Sequence, residues 1–319
     1  MTTTPWIGPN GKRMRRLELH LTYTCPERCV FCSEAHRMAT YKAFPVTWGR
    51  VAKVLRQHAE RGVTNVHFTG GEPTIHPRFV DILKLARKLG MRTSIGSIGT
   101  MMSREPFARD ALPWLDEALF SLHGPDASIH DALTRRPGSF ETVTSAMKMV
   151  RRLKPEFGLF ANVVMTRGSL DTLPDTVALA AELGAKLIIV SNTTPEGEAL
   201  DRYEELAPRL EDLARVLPTV PAVAGDAVLR FFGVPMCLLG EHSMISNDLH
   251  WDARVTVEWT TQPGKVVFDG IYNWEPNRKR VHVEACSGCT LSGVCMGVYD
   301  RYAELWPTTA LSPVRRESA

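Results

Sequence analysis

The chain has 319 residues, 44% hydrophobic and 23% charged, with 38 Lys+Arg against 35 Asp+Glu and a formal net charge of +3. That composition excludes a disordered, collagen-like or coiled-coil architecture, and the near-balanced charge gives no ground for a nucleic acid or an anionic membrane as partner. Charges stand at the amino end where a signal peptide needs an apolar core, and no uncharged apolar run approaches a membrane span, so a soluble, cytoplasmic protein is expected. In chain order, LELHL (17–21) reads as a strand, and 46–62 as a helix with Thr47 as N-cap and Gly62 as its stop. Strand 65–68, helix 78–88, and strands 92–96 and 118–122 follow. Next come a helix around 140–152, strand 158–165, helix 172–183 and strand 186–190. Six strands with helical crossovers predict an α/β fold, a partial (β/α)6 barrel of parallel strands, whose sites lie at the carboxyl ends of the strands.

Beyond the barrel, segments 253–259 and 265–272 flank Thr-Thr-Gln-Pro-Gly and read as a β-hairpin that holds the Cys237 loop against the C-terminal loop. Of Trp251, Trp259 and Trp274, two or three are expected to pack rather than to line a pocket. The expected division is an N-terminal arm at 1–16, the barrel at 17–215, a small C-terminal extension at 216–306 with the hairpin and cysteine-rich loops, and a flexible tail at 307–319.

Seven cysteines in such a chain point to metal or redox chemistry rather than to a disulfide framework, and the odd total argues against full pairing. Cys25, Cys29 and Cys32 form a C-x3-C-x2-C triplet directly after the first strand. Three thiolates in one short loop can hold three irons of a cubane cluster while the fourth iron lacks a protein ligand. Structural zinc wants four closed ligands, so a zinc site here needs a distant partner such as His36. The other four, Cys237, Cys286, Cys289 and Cys295, suit either structural zinc or a four-ligand cluster, and their spacing alone does not choose. After the second strand, Gly70-Gly71-Glu72-Pro73 reads by itself either as a plain turn or as a place where backbone approaches a ligand and an acid meets an ammonium group.

The C-x3-C-x2-C triplet with Phe31 before its last cysteine resembles the radical S-adenosylmethionine (SAM) superfamily. The resemblance implies that Cys25, Cys29 and Cys32 hold a [4Fe-4S] cluster whose open iron chelates SAM. One electron then cleaves SAM to methionine and a 5′-deoxyadenosyl radical, which abstracts hydrogen from a substrate. It further implies SAM contacts at Gly70, Gly71 and Glu72, and at Ser121, which matches a serine that touches the SAM carboxylate or ribose. Ser97-Ile98-Gly99 stands where many relatives carry Thr-Asn-Gly, and His123 replaces the acid of a Ser-x-Asp-Gly segment. Arg135 or Arg136 either pairs with the SAM carboxylate or lies on a solvated helix face. Thr193-Thr194-Pro195-Glu196-Gly197 is similar to a turn that approaches adenine. No residue is indicated as the group that quenches the substrate radical.

Cys286-x2-Cys289-x5-Cys295 followed by Met-Gly resembles the auxiliary-cluster region of the SPASM and twitch subfamily. Tyr299 stands where a further cysteine would follow, so a single auxiliary [4Fe-4S] cluster on Cys237, Cys286, Cys289 and Cys295 is expected, acting as electron acceptor. The implied partners are a peptide substrate, an electron donor such as flavodoxin or ferredoxin, and a separate peptide-binding protein, because only about sixteen residues precede the first strand. The same radical chemistry on a nucleotide or aminosugar is the alternative, and a noncatalytic iron–sulfur binding or electron-transfer protein is a further one.

Overall fold

The computed structural model describes residues 6–9, 11–276 and 279–315. Nine strands form one sheet in the order β7-β6-β5-β4-β3-β2-β1-β8-β9. They are β1 (Arg16–Thr22), β2 (Asn65–Gly70), β3 (Arg92–Ser97), β4 (Glu117–Ser121), β5 (Gly158–Met165), β6 (Leu187–Asn192), β7 (Val228–Phe232), β8 (Arg254–Gln262) and β9 (Lys265–Asn273). From β7 through β1 to β8 all neighbours are parallel, and β8 and β9 pair antiparallel. The six expected strands are β1–β6, at nearly the predicted bounds.

Helices α1 (Ala35–Tyr41), α2 (Trp48–Glu60), α3 (Phe79–Lys88), α4 (Glu105–Ala111), α5 (Ala127–Thr134), α6 (Ser139–Leu153) and α7 (Leu173–Glu182) fill the crossovers. Thr47 caps α2 as expected, its side chain accepting from the Arg50 amide. Strand β5 shows how the sequence sorts two faces. Leu159, Ala161, Val163 and Met165 are fully buried, whereas Phe160, Asn162 and Val164 alternate with them, half-buried, and line internal cavities. Period-two alternation therefore puts the apolar set under the helices and the mixed set into a lumen. Residues of β1, β2, β6 and β7 face one cavity, so the sheet is curled into a partial barrel.

Three features differ from expectation. Val228–Phe232 adds a seventh parallel strand beyond the boundary placed at 215, so the sheet does not stop there. The hairpin exists, but β8 pairs with β1 and extends the main sheet instead of bracing the Cys237 loop. Its turn is shorter than Thr260–Gly264: Gln262 pairs with Lys265, leaving Pro263-Gly264 with Gly264 at φ +76°. In the expected tail, Leu311 is buried and the Thr290 amide donates to the Val314 carbonyl at 2.8 Å, so 311–315 pack on the C-terminal loops. The rest of that tail, 316–319, lies outside the described residues, as do 1–5 of the arm. Trp259 is buried in the core and Trp274 lies against Gly8, while Trp251 lines the lumen. No helix among the described residues is long and apolar enough to cross a membrane.

Candidate cluster and cofactor sites

The loop after β1 carries Cys25, Cys29 and Cys32 to the carboxyl end of the sheet. Backbone bonds fix it to α5: the Arg28 amide donates to the Thr134 carbonyl at 3.0 Å and the Val30 amide to the Leu133 carbonyl at 2.8 Å. The Glu198 amide donates to the Cys32 carbonyl at 3.0 Å. Cys29 and Cys32 line a cavity of about 340 Å³, within the ~300–1,000 Å³ usual for small-ligand sites. Burial is the largest influence on all three thiols; backbone amides oppose it at Cys25 and Cys32, and nearby carboxylates reinforce it. It pushes Cys25 up to about 12, Cys32 up to about 11 and Cys29 well above the ordinary range. Glu27, 3.5 Å from the Cys29 sulfur, is itself pushed up to about 7 by burial. Three half-buried sulfurs beside a carboxylate are a donor set that bound iron would stabilise as thiolates. The residues present fit a cluster.

Gly70 and Gly71 line the same cavity, and the reason for glycine there is close backbone approach. A Cβ on Gly70, which sits at φ +122°, would lie 2.3 Å from the Thr22 carbonyl oxygen, and one on Gly71 would lie 2.2 Å from that of Thr24. The Gly71 and Glu72 amides donate to those two carbonyls at 2.7 and 2.9 Å, stitching β2 to the cysteine loop.

Glu72 does not reach the cavity wall. Its carboxylate is 0% exposed and accepts from the Thr74 amide and hydroxyl, from the Ser97 hydroxyl at 2.9 and 3.1 Å, and from the Ile98 amide at 2.8 Å. It is therefore placed to orient the turn after β3 rather than to meet an ammonium group. Ser97, Ser121 and His123 do line the cavity. The His123 Nδ1 accepts from the Val164 amide at 3.2 Å, so the neutral ring carries its proton on Nε2, and Phe31 packs edge-on at 4.7 Å.

Arg135 pairs with Glu198 at 2.9 Å, and neither it nor Arg136 lines the cavity. Of Thr193–Gly197, only Thr194 does. Gly197, at φ +56°, instead packs on the cysteine loop, where a Cβ would sit 2.4 Å from the Cys32 carbonyl oxygen. His36 pairs with Asp201 at 2.7 Å on the surface, so the distant ligand that a zinc reading needs is committed elsewhere. Sequence reasoning missed Asn162, Ser191 and Asn192 on the cavity wall. A lone amide alternating with apolar residues in GLFANVVM was the available signal for Asn162, which accepts from the Ser191 hydroxyl at 2.8 Å.

The second cysteine group also converges. Cys237, Cys286, Cys289 and Cys295 line one cavity of about 20 Å³ together with Pro235 and Leu311. The Met236 and Gly297 amides both point at the Cys295 sulfur at 3.4 Å, donors that favour a charged sulfur. Burial, then the other three thiols, raises Cys237. Four sulfurs in an apolar pocket fit a four-ligand metal centre. Tyr299 belongs to a small two-stranded sheet formed by β10 (Arg280–Val281) and β11 (Val298–Tyr299). It is buried, and its hydroxyl lies 3.1 Å from that of Thr194, on the wall of the first cavity.

The chain is similar in sequence and in fold to known proteins. The PqqA peptide cyclase of Rhodopseudomonas palustris is 32% identical over 206 residues, covering 64% of this chain and 53% of that protein. The one from Gluconobacter oxydans is 29% identical over 214 residues, covering 65% and 58%. The chain thus spans about half the length of the curated relatives it matches. In fold it is similar to Streptococcus suis SuiB bound to its precursor peptide SuiA, with a TM-score of 0.58 at 16% identity over 76% of this chain and 57% of that one. It is likewise similar to anSMEcpe with bound AdoMet and a peptide, with a TM-score of 0.54 at 16% identity over 67% and 63%. Residues 19–180, half of the chain and the part that carries the cysteine triplet and the Gly70-Gly71 turn, match the family description "Radical SAM superfamily", and the chain belongs to that superfamily.

Proposed function

We propose that this protein is a radical SAM enzyme that oxidatively modifies or cross-links a peptide, with a second cluster as electron acceptor. The observation that carries the reading is the convergence of Cys29, Cys32, Gly70, Gly71 and Ser121 on one cavity at the carboxyl end of the sheet. Cys25, Cys29 and Cys32 hold the first [4Fe-4S] cluster, which when bound with SAM supplies the one-electron cleavage that yields the hydrogen-abstracting radical. The Thr22–Thr24 backbone and the two glycines shape the floor beside it. Glu72 fixes Ser97 and Ile98, and His123 presents a neutral imidazole.

Cys237, Cys286, Cys289 and Cys295 hold the auxiliary cluster. Peptide as substrate class is supported by what the relatives are named for, PqqA peptide cyclase above all. The electron donor is of the flavodoxin or ferredoxin kind, and the cytoplasm is the compartment that suits seven free thiols.

The test is the metal content of the Cys25→Ala/Cys29→Ala/Cys32→Ala variant, reconstituted without oxygen, beside 5′-deoxyadenosine formation by the reduced wild type. About four irons retained by the variant is one cubane cluster at the C-terminal site. One zinc and no iron would make that site structural, and a wild type that yields no 5′-deoxyadenosine would overturn the enzyme reading.

A further inference from the structure

Beneath the cofactor cavity lies a second one of about 650 Å³. The two share His67, Thr69, Asn162 and Phe232 as walls, so the lumen runs from the cysteine loop toward the amino ends of the strands. Its lining carries four cations, Arg16, Lys186, Arg230 and Arg254, against two carboxylates, Glu18 and Asp252.

These charges are not equally committed. Arg254 pairs with Glu18 at 3.1 Å and lies over the Trp251 ring at 4.1 Å. Lys186 donates to the Glu156 carbonyl at 2.8 Å. Arg16 and Arg230 form no ion pair among the described residues, and the Arg230 guanidinium donates to its neighbour's carbonyl, that of Leu229, at 2.9 Å. Arg16 opens β1 and Arg230 stands on β7, the far edge of the parallel run, so the curl of the sheet aims both into one lumen from two sides. Trp251, on the same lining, has a buried indole N–H with no hydrogen-bond partner among the described residues. The half-buried guanidiniums and the orphan donor together ask for an acceptor.

We infer that this lumen binds a substrate segment bearing carboxylates, gripped by Arg16 and Arg230 with the Trp251 N–H as a third donor. The assignment rests on the radical SAM reading of the cavity above it, and it names the substrate's chemistry rather than its size. A guanidinium offers carboxylate two parallel N–H bonds, and in a partly desolvated cavity such pairs discriminate strongly against an amide or an ammonium. His67, at the junction of the two cavities, is held neutral chiefly by burial, with Arg16 and Arg254 pushing the same way and Glu18 opposing them.

The experiment uses the reconstituted wild type and phenylglyoxal, an arginine reagent, with modification of Arg16 and Arg230 followed by mass spectrometry. The probes are glutarate, 1,5-diaminopentane, and the peptides Ala-Gly-Ser-Glu-Ser-Gly-Ala and Ala-Gly-Ser-Gln-Ser-Gly-Ala. Glutarate and the Glu peptide are expected to slow both arginines by about tenfold, with the diamine and the Gln peptide inert. Arg230→Gln should raise the glutarate concentration that protects Arg16 by about the same factor. Protection by the diamine, indifference to every anion, or arginines that never react in the free protein would each overturn the inference. Protection by glutarate and by neither peptide would leave the carboxylate site standing and turn the peptide reading toward a small acid.

Discussion

The Glu72 carboxylate accepts the Ile98 amide at 2.8 Å, tying the turn after β2 to the turn after β3 from a position closed to solvent. Burial pushes this carboxyl up, and the bonds from Thr74, Ile98 and Ser97 oppose that push. Glu72→Gln keeps the shape but turns an amide donor toward a cluster of donors. A loss of about 1–3 kcal/mol is expected from the mismatch. SAM binding should weaken by about tenfold, or ~1.4 kcal/mol, as Ser97 loses its anchor. Thermal unfolding and SAM titration of the reconstituted variant measure both. An unchanged affinity would mean that the turn after β3 does not touch SAM.

Acid should weaken the fold through its buried histidines. Burial lowers His67 to about 3, His130 to about 4 and His123 well below its ordinary range. An unfolded histidine takes up its proton near pH 6.5. The stability these three supply is therefore fully present above that pH and is lost as pH falls toward the folded values. Between pH 6.5 and 5 the loss is about 2 kcal/mol for His67 and for His130, and His123 adds in the same direction. Urea unfolding across that range reads the slope, and His130→Asn should remove about a third of it. Burial raises Glu27 and Glu72, which opposes this slope, so the variant is read against the wild type: an unchanged slope in His130→Asn would show that this ring accepts its proton in place.

Gly197→Ala should damage the first metal site without touching the second. A Cβ there would press on the Cys32 and Ser33 carbonyl oxygens at 2.4 and 2.5 Å, at a φ of +56° that an L-residue rarely adopts. The reconstituted variant is expected to fall from about eight irons toward about four. A full iron complement with normal 5′-deoxyadenosine formation would show that the cysteine loop gives way freely.

Arg280 and Asp248 form an ion pair at 2.5 Å with side chains 0% and 1% exposed, joining β10 to the segment that leads into Trp251. Arg280→Met leaves Asp248 buried without its cation, and a loss of about 3–5 kcal/mol is expected. Asp248→Asn/Arg280→Met should recover part of it. Denaturant midpoints of the two variants provide the check, and equal midpoints would show that the buried carboxylate finds another donor.

Local rules made much of this legible from the residues alone. The Thr47 cap, β-branched runs such as KLIIV and the cysteine spacings are short-range signals; the first two led to the elements found and the spacings to thiols that line two cavities. What escaped was non-local. VLRFF is a five-residue strand after a proline-rich turn, with nothing local to distinguish it from a loop. Helix α5 spans eight residues, and Asp126, which accepts from the Ile129 amide, was its unread cap. No pattern within ARVTVEW shows that its neighbour is β1, some 236 residues earlier, where Arg254 meets Glu18. The direction of Glu72 was hidden for the same reason, because its partners lie on the next strand.

Strand β1, from which the cysteine loop springs, is paired on one side by β2 and on the other by β8. Its second neighbour is made only after residue 253 has left the ribosome. A nascent chain that already displays Cys25, Cys29 and Cys32 therefore still has one bare edge beside them. Iron delivery to that loop is best timed to the end of synthesis, and a chain cut short before the hairpin would offer its cysteines and an unpaired strand together, a species fit for aggregation or degradation rather than for maturation.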